Sequence, residues 1–236
     1  MKFVLMVALG WLMYWLVALL LRGLRWVWRR GRAHIRARRE ALRYAVDPQR
    51  ALALALAHPV AATRVGRRFT DPAWRVGDRD DLARQLGPVL LHVLGLRAGL
   101  DDTALRAAVA ARLGDRWYRL DLDDLQAQDD PADALAFACA RTAFCTRLAG
   151  LLGWIDEASQ WRILAQNAAR AADCFAGWQE YGAAWARGRR QWVAASRDDS
   201  LGLAFDEADV RGWLADAGHP WQTLPWNAGR ARLTPP

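Results

Sequence analysis

The sequence lacks the patterns on which catalytic and metal sites are usually built. Its four histidines (His34, His58, His92 and His219) are scattered, and its three cysteines form no CxxC pair, so no metal-ligand spacing is present. It also contains no HExxH, GxSxG, P-loop or GxGxxG motif. The sequence therefore predicts no metal and no cofactor, and it indicates no particular reaction.

Runs of alternating β-branched residues are also missing, which argues against a sheet. Beyond residue 70 the apolar residues instead recur with the 3.6-residue period of an amphipathic helix. Residues typical of helix starts precede these segments; they are Asp80-Asp81, Asp101-Asp102-Thr103, Pro131, Asp156-Glu157, Gly177 and Asp206. We predict an all-α helical bundle, with an interruption of its first helix near Gly87-Pro88.

Charge is almost missing from the N-terminus. Residues 3–21 contain no charged residue, no Asn, no Gln and no Pro. A helix of this length rises roughly 28 Å, which is close to the hydrocarbon thickness of a bilayer. The apolar run is longer than that of a cleaved signal peptide, and no small-x-small cleavage site follows it. We therefore predict a single uncleaved transmembrane helix over residues 1–22.

The positive charge of the chain is concentrated directly after this run. Ten arginines against Glu40 and Asp47 give residues 22–50 a charge of +8, whereas 22 arginines against 23 acids leave residues 51–236 at −1. This neutral body argues against nucleic-acid binding. Anionic headgroups of the lipid bilayer are the expected partner of the basic stretch. The predicted membrane-surface contacts are Arg22, Arg25, Trp26, Trp28, Arg29, Arg30 and Arg32.

The same asymmetry predicts the orientation of the chain, because positive residues are retained on the cytoplasmic side. We expect a single-pass protein of the bacterial inner membrane, with its N-terminus outside and its C-terminal domain in the cytoplasm. Residues 23–57 would form a basic juxtamembrane helical segment, and residues 58–236 an all-α globular domain. Cys139, Cys145 and Cys174 lie in apolar helical context and are expected to be buried thiols of a reducing compartment.

Four residues form the candidate ligand pocket. Trp178, Tyr181, Trp185 and Trp192 recur on one helix face, a spacing typical of a core seam but compatible with a ligand-stacking wall. Arg141 and Glu180 lie within apolar stretches, where a buried charge needs a partner or a function. Packing and an ion pair are one interpretation. The other is a small-ligand pocket lined by Arg141, Trp178, Glu180 and Tyr181.

A block within residues 137–192 resembles the bacterial family called domain of unknown function 1266. The residues that carry this resemblance are Arg141, Gly153-Trp154-Ile155-Asp156-Glu157, Trp161, Trp178-Gln179-Glu180-Tyr181, Gly188 and Trp192. The segments AWRVGDRDDLARQLGPVL and PWQTLPW are similar to the ends of the family, so the resemblance spans about residues 70–227. Ala138 stands where the family resemblance leads us to expect an aspartate.

This resemblance implies an all-α cytoplasmic domain without an assigned activity, and it supplies no catalytic residues. The first functional hypothesis is a non-enzymatic, membrane-anchored module that binds a protein partner. The second is an enzyme or small-ligand binder that uses the pocket near Arg141 and Glu180. The third is a secretion-system accessory or immunity protein, because members of the family are encoded near type VI secretion loci.

Overall fold

The computed structural model describes residues 47–97, 99–116, 122, 125–195 and 206–229, together with residues 11, 13–23, 25, 28 and 35 near the N-terminus. Within these ranges all regular elements are helices and none is a strand, so the predicted all-α fold is confirmed. The helices are α1 (Met13–Gly23), α2 (Pro48–Ala55), α3 (His58–Arg64), α4 (Arg79–Val93), α5 (Asp102–Arg116), α6 (Pro131–Leu152), α7 (Glu157–Cys174), α8 (Trp178–Ala194), α9 (Glu207–Ala215) and α10 (Pro220–Thr223). Short 3₁₀ turns cover Arg67–Thr70 and Trp226–Gly229.

Aspartate side chains begin the main helices, as their sequence positions indicated. The Asp130 carboxylate accepts bonds from the first backbone amides of α6, and Asp156 does the same for α7. Gly153 ends α6 in the left-handed conformation, with φ 73°. Asp130 therefore sets the start of α6, whereas Gly153 and Asp156 fix the turn between α6 and α7.

The predicted interruption at Gly87-Pro88 is wrong, because α4 continues through both residues. A proline inside a helix deprives the carbonyl four residues earlier, here that of Arg84, of its helical donor. Pro88 lies on the exposed side of α4, where water can serve that carbonyl. Gly87 is buried, and an added Cβ would lie 3.2 Å from the ring of Trp154.

The centre of the fold is α6, which packs mainly against α8 and α7 and also against α2, α3 and α4. Almost all of its 22 residues are buried. In the part of the chain that the structure describes, α6 is the one helix long and apolar enough to cross a membrane, and 89% of that apolar stretch is buried in the bundle. A helix that is apolar on all sides can be a core helix, and α6 is one.

The helix α2 also belongs to the core, although the sequence placed it in the juxtamembrane segment. Its alanine-leucine run is fully buried from residue 51 to residue 57. Two aromatic donors bind carbonyls at its C-terminal end: the Tyr181 hydroxyl donates to Leu56 (3.0 Å), and the Trp221 indole donates to Ala55 (2.9 Å). The predicted boundary between residues 57 and 58 thus falls inside the packed body, since residues on both sides of it belong to the core.

The aromatic stripe of α8, formed by Trp178, Tyr181, Trp185 and Trp192, is part of this core, since all four side chains are buried. The C-terminal segment covers it. Trp221 stacks on Trp178 with ring centroids 5.3 Å apart, and Trp178 donates its indole proton to the carbonyl of Leu224. The stripe therefore joins α8 to the segment that follows α9.

Cysteine burial only partly matches the sequence expectation. Cys139 and Cys145 on α6 are buried, whereas Cys174 at the end of α7 is exposed, so the prediction of three buried thiols is wrong for Cys174. The apolar run of α7 suggested burial, but the last two residues of the helix, Asp173 and Cys174, are exposed. Burial raises the pKa of the Cys139 thiol.

Close contact between α6 and α8 depends on Gly188. A Cβ at this position would lie 2.6 Å from the carbonyl carbon of Asp133 and 3.1 Å from the Cβ of Phe137. We expect Gly188→Ala to lower the free energy of unfolding by about 1–3 kcal/mol, because the two helices would have to separate. Chemical denaturation followed by circular dichroism measures this change.

The matched control is Gly212→Ala on α9, where an added Cβ meets nothing within 4 Å. There the substitution removes the helix-weakening effect of glycine, so stability is expected to rise by about 0.5–1 kcal/mol. If both variants change stability by the same amount, the close α6–α8 contact is not a constraint on the fold.

Candidate functional site

The structure does not bring the four predicted pocket residues to one cavity. Trp178 and Tyr181 are packed in the core, where each donates its polar hydrogen to a backbone carbonyl. Burial holds the pKa of Tyr181 well above its ordinary value. Both side chains act as packing and hydrogen-bonding groups, as in the core-seam interpretation.

Arg141 and Glu180 are far apart: Arg141 on α6 packs beside the C-terminal end of α8, whereas Glu180 lies at the N-terminal end of α8. The Arg141 guanidinium is buried against two aromatic rings, 5.3 Å from the centroid of Phe137 and 5.4 Å from that of Trp192. Glu180 is exposed in the first turn of α8, where its carboxylate accepts a hydrogen bond from the amide of Ala176 (2.6 Å). Twelve residues separate Glu180 from Trp192, or about 18 Å along a helix. The described residues therefore contain no ligand cavity between Arg141 and Glu180.

A different cavity lies where the start of α4 and the start of α7 meet the second half of α6. Its volume is about 160 Å³. We call it the arginine cavity; the residues that line it are Arg75, Val76, Arg79, Arg147, Gly150, Leu151, Glu157 and Gln160. Three basic side chains and one acidic side chain therefore face a space that a small ligand can enter.

Arg147 is the buried cation of this cavity, with only 3% of its surface exposed. One guanidinium nitrogen, Nη2, donates to the backbone carbonyls of Trp74 (2.9 Å) and Asp71 (3.3 Å). Burial, with a further contribution from Arg75, lowers the pKa of Arg147 to about 10. The group thus remains positively charged at neutral pH although it lies inside the bundle.

Arg75 and Arg79 are exposed side chains at the rim of the cavity. Arg75 donates to the carbonyl of Pro72 (2.9 Å), which holds it beside the loop that Arg147 binds. The Arg79 guanidinium passes over Gly153, where a Cβ would lie 3.0 Å from its Nη1 atom. Gly153 therefore serves two purposes: it adopts the left-handed turn and it leaves room for Arg79.

The cavity carries an excess of positive charge. Glu157 is its one acidic lining residue, and its carboxylate accepts the indole hydrogen of Trp161 (3.0 Å). None of the three cavity arginines belongs to an ion pair within the described ranges. Three guanidinium groups and one carboxylate leave a net charge of about +2, to which the N-terminal end of α7 adds a positive dipole. The arrangement suits an anionic ligand.

The described residues contain no group of three or more His, Cys, Asp or Glu side chains that could hold a metal ion. The arginine cavity likewise has no nucleophile paired with a base, since its polar lining consists of guanidinium groups, Glu157 and Gln160. These groups can bind and orient a charged ligand.

Sequence reasoning missed the arginine cavity for a physical reason. In a chain so rich in arginine, Arg75, Arg79 and Arg147 have no feature that distinguishes them from the others. The available signal was the block that resembles a known family, since Gly153 and Glu157 belong to it and both lie at the cavity.

Arg147 should also stabilise the bundle, because it binds two carbonyls of the loop before α4. We expect Arg147→Met to lower the free energy of unfolding by about 1–3 kcal/mol, since it leaves those carbonyls without their donor. The control is Arg162→Met on the exposed side of α7, which should change stability by less than about 0.5 kcal/mol. Equal effects in urea denaturation would show that Arg147 does not hold the loop.

The family model described as "Protein of unknown function (DUF1266)" matches residues 71–226. This match includes all lining residues of the arginine cavity and begins after α3. No curated protein and no solved structure matches the chain.

Proposed function

The chain belongs to the DUF1266 family, and from that premise we propose that it is a membrane-anchored helical module that binds a protein partner at the cytoplasmic face of a bacterial inner membrane. In this proposal α1 and the residues before it cross the bilayer. The bundle of helices α2 to α10 is the part that is presented to the partner.

The exposure of α1 supports the anchor most directly. The consecutive side chains Leu19, Leu20 and Leu21 are all exposed, and so are Trp11 and Tyr14. Three successive residues point in directions about 100° apart, so the apolar surface extends around the helix. An apolar surface of this extent is unfavourable in water and needs an apolar environment, which the hydrocarbon layer of a bilayer provides.

The length of the apolar run is also sufficient. The eleven described residues of α1 rise about 16 Å, which is half of a hydrocarbon layer of about 30 Å. The uncharged sequence continues towards the N-terminus as far as residue 3. Residues 3–21 together have the length that a transmembrane helix needs.

The basic residues after α1 support the orientation. Arg22 and Arg25 are exposed at the end of the apolar run, and Trp28 is exposed close by. The other proposed membrane-surface residues, Trp26, Arg29, Arg30 and Arg32, lie outside the described residues. Positive residues of this density favour the cytoplasmic side and attract anionic headgroups.

We expect the full-length protein to stay in the membrane pellet after extraction with alkaline carbonate. The variant with Leu9→Arg and Leu12→Arg should leave the pellet, because each arginine near the middle of a transmembrane helix costs about 2.5–3.5 kcal/mol. The matched control replaces both leucines by alanine and keeps the segment uncharged. Release of the unmodified protein by carbonate would contradict the anchor.

The orientation is tested with reporters fused after residue 236. A fluorescent protein that folds only in the cytoplasm should be bright, and alkaline phosphatase at the same position should be inactive. Active phosphatase would place the bundle on the opposite side of the membrane and would overturn the proposed topology.

The interaction part of the proposal predicts a stoichiometric protein partner in detergent extracts. The neutral charge of residues 51–236 favours a protein surface over nucleic acid as the target. Affinity capture of the tagged full-length chain, followed by mass determination of the native complex, is the measurement. Recovery of the chain as a monomer without a partner would contradict the interaction module.

A further inference from the structure

We propose that the arginine cavity is a binding site for a phosphoryl group, with Arg147 at its base and Arg75 and Arg79 at its rim. The ligand class is a phosphate monoester, either a soluble ester or a lipid headgroup such as that of phosphatidic acid, and both present the same terminal phosphoryl group. This site lies in the bundle and does not depend on the proposed anchor or on the protein partner.

The first argument is the unsatisfied hydrogen-bonding capacity of Arg147. Its Nη2 atom is held by two carbonyls, but its Nε atom is buried and has no hydrogen-bond partner within the described residues. A buried cation with an unused donor is unfavourable unless an acceptor reaches it. An oxyanion in the cavity would supply that acceptor together with the opposite charge.

The second argument is that residues behind the cavity hold Arg147 in place. The carbonyls of Asp71 and Trp74 both accept hydrogen bonds from Nη2 of its guanidinium group. The centroid of the Trp161 ring lies 5.8 Å from its central carbon. A guanidinium group whose orientation is already fixed loses little conformational entropy when a ligand binds. Because both Nη2 hydrogens are taken by these carbonyls, the ligand would be bound by the N–H donors of Arg147 that remain, which include Nε–H.

The third argument concerns which anion fits best. A net charge of about +2 matches a phosphate monoester, which carries about −1.5 to −2 at neutral pH, better than it matches a single carboxylate. The cavity volume of about 160 Å³ is roughly ten times what one water molecule requires, so a tetrahedral group has room. Charge and volume therefore both favour a phosphoryl group.

Nearby acidic groups reduce the positive potential but do not remove it. Glu157 lines the cavity, and Asp71 and Glu157 both favour the charged form of Arg147. The Asp71 carboxylate is bound by the amide of Ala73, and Asp156 is bound by the first turn of α7. The guanidinium groups at the rim belong to no ion pair within the described residues. Among the same residues, Arg75 donates to backbone carbonyls only through Nη1, so its other N–H donors and the charge of both groups are available to a ligand.

The test uses the full-length chain in neutral detergent and measures the melting temperature together with ³¹P NMR line width. Inorganic phosphate and glycerol 3-phosphate should raise the melting temperature and broaden the phosphorus line, whereas chloride or acetate at equal ionic strength should not. Equal stabilisation by acetate, or no difference between phosphate and chloride, would overturn the proposal.

Arg79→Gln separates binding from folding, because Arg79 is exposed and forms no ion pair in the described part of the chain. We expect this variant to weaken phosphate binding about tenfold or more without lowering the melting temperature of the ligand-free protein. The matched control is Arg84→Gln, an exposed arginine five residues further along α4 and outside the cavity lining, which should bind phosphate normally. Unchanged binding by Arg79→Gln would overturn the assignment.

The source of the phosphoryl group is resolved by adding dihexanoyl phosphatidic acid or dihexanoyl phosphatidylcholine to the same solution. Competition by phosphatidic acid against glycerol 3-phosphate identifies a lipid headgroup as a ligand, and binding of glycerol 3-phosphate alone identifies a soluble ester. Both results support the site. If alkaline carbonate releases the protein from the membrane, the proposed anchor is wrong, but the phosphate measurement is unaffected. The two proposals can therefore fail independently.

Discussion

The burial of α6 on every side determines how the rest of the molecule is arranged. This helix carries two arginines, and because it lies in the centre of the bundle, both must be stabilised without bulk water. Arg141 is stabilised by aromatic faces from its own helix and from α8. Arg147 lies six residues later, where the loop before α4 supplies carbonyls and the bundle leaves an open space.

The two arginines therefore have different consequences for function. Arg141 is enclosed by Phe137 and Trp192 and contributes to the packing between α6 and α8. Arg147 faces a cavity whose rim carries two more arginines, so its charge remains open to a ligand. The same physical problem, a cation in a core helix, yields a packing contact at one position and a candidate binding site at the other.

Local sequence signals were sufficient for the helices but not for the site. Gly153 and Asp156 each act through bonds to residues close in sequence, so the turn between α6 and α7 could be predicted. The position of α2 in the core depends on Tyr181 and Trp221, more than a hundred residues away, and no local pattern reports such contacts. The arginine cavity likewise forms only when Arg79 and Arg147 meet in space.

The buried guanidinium of Arg147 is the group on which the account depends, and its Nε–H can be observed directly. In protein labelled with ¹⁵N-arginine, the Nε–H resonance that disappears in Arg147→Met identifies this group. Addition of inorganic phosphate should shift that resonance and slow its hydrogen exchange with water, because the phosphoryl oxygen becomes its acceptor. An Nε–H resonance that stays unchanged up to saturating phosphate would contradict the account.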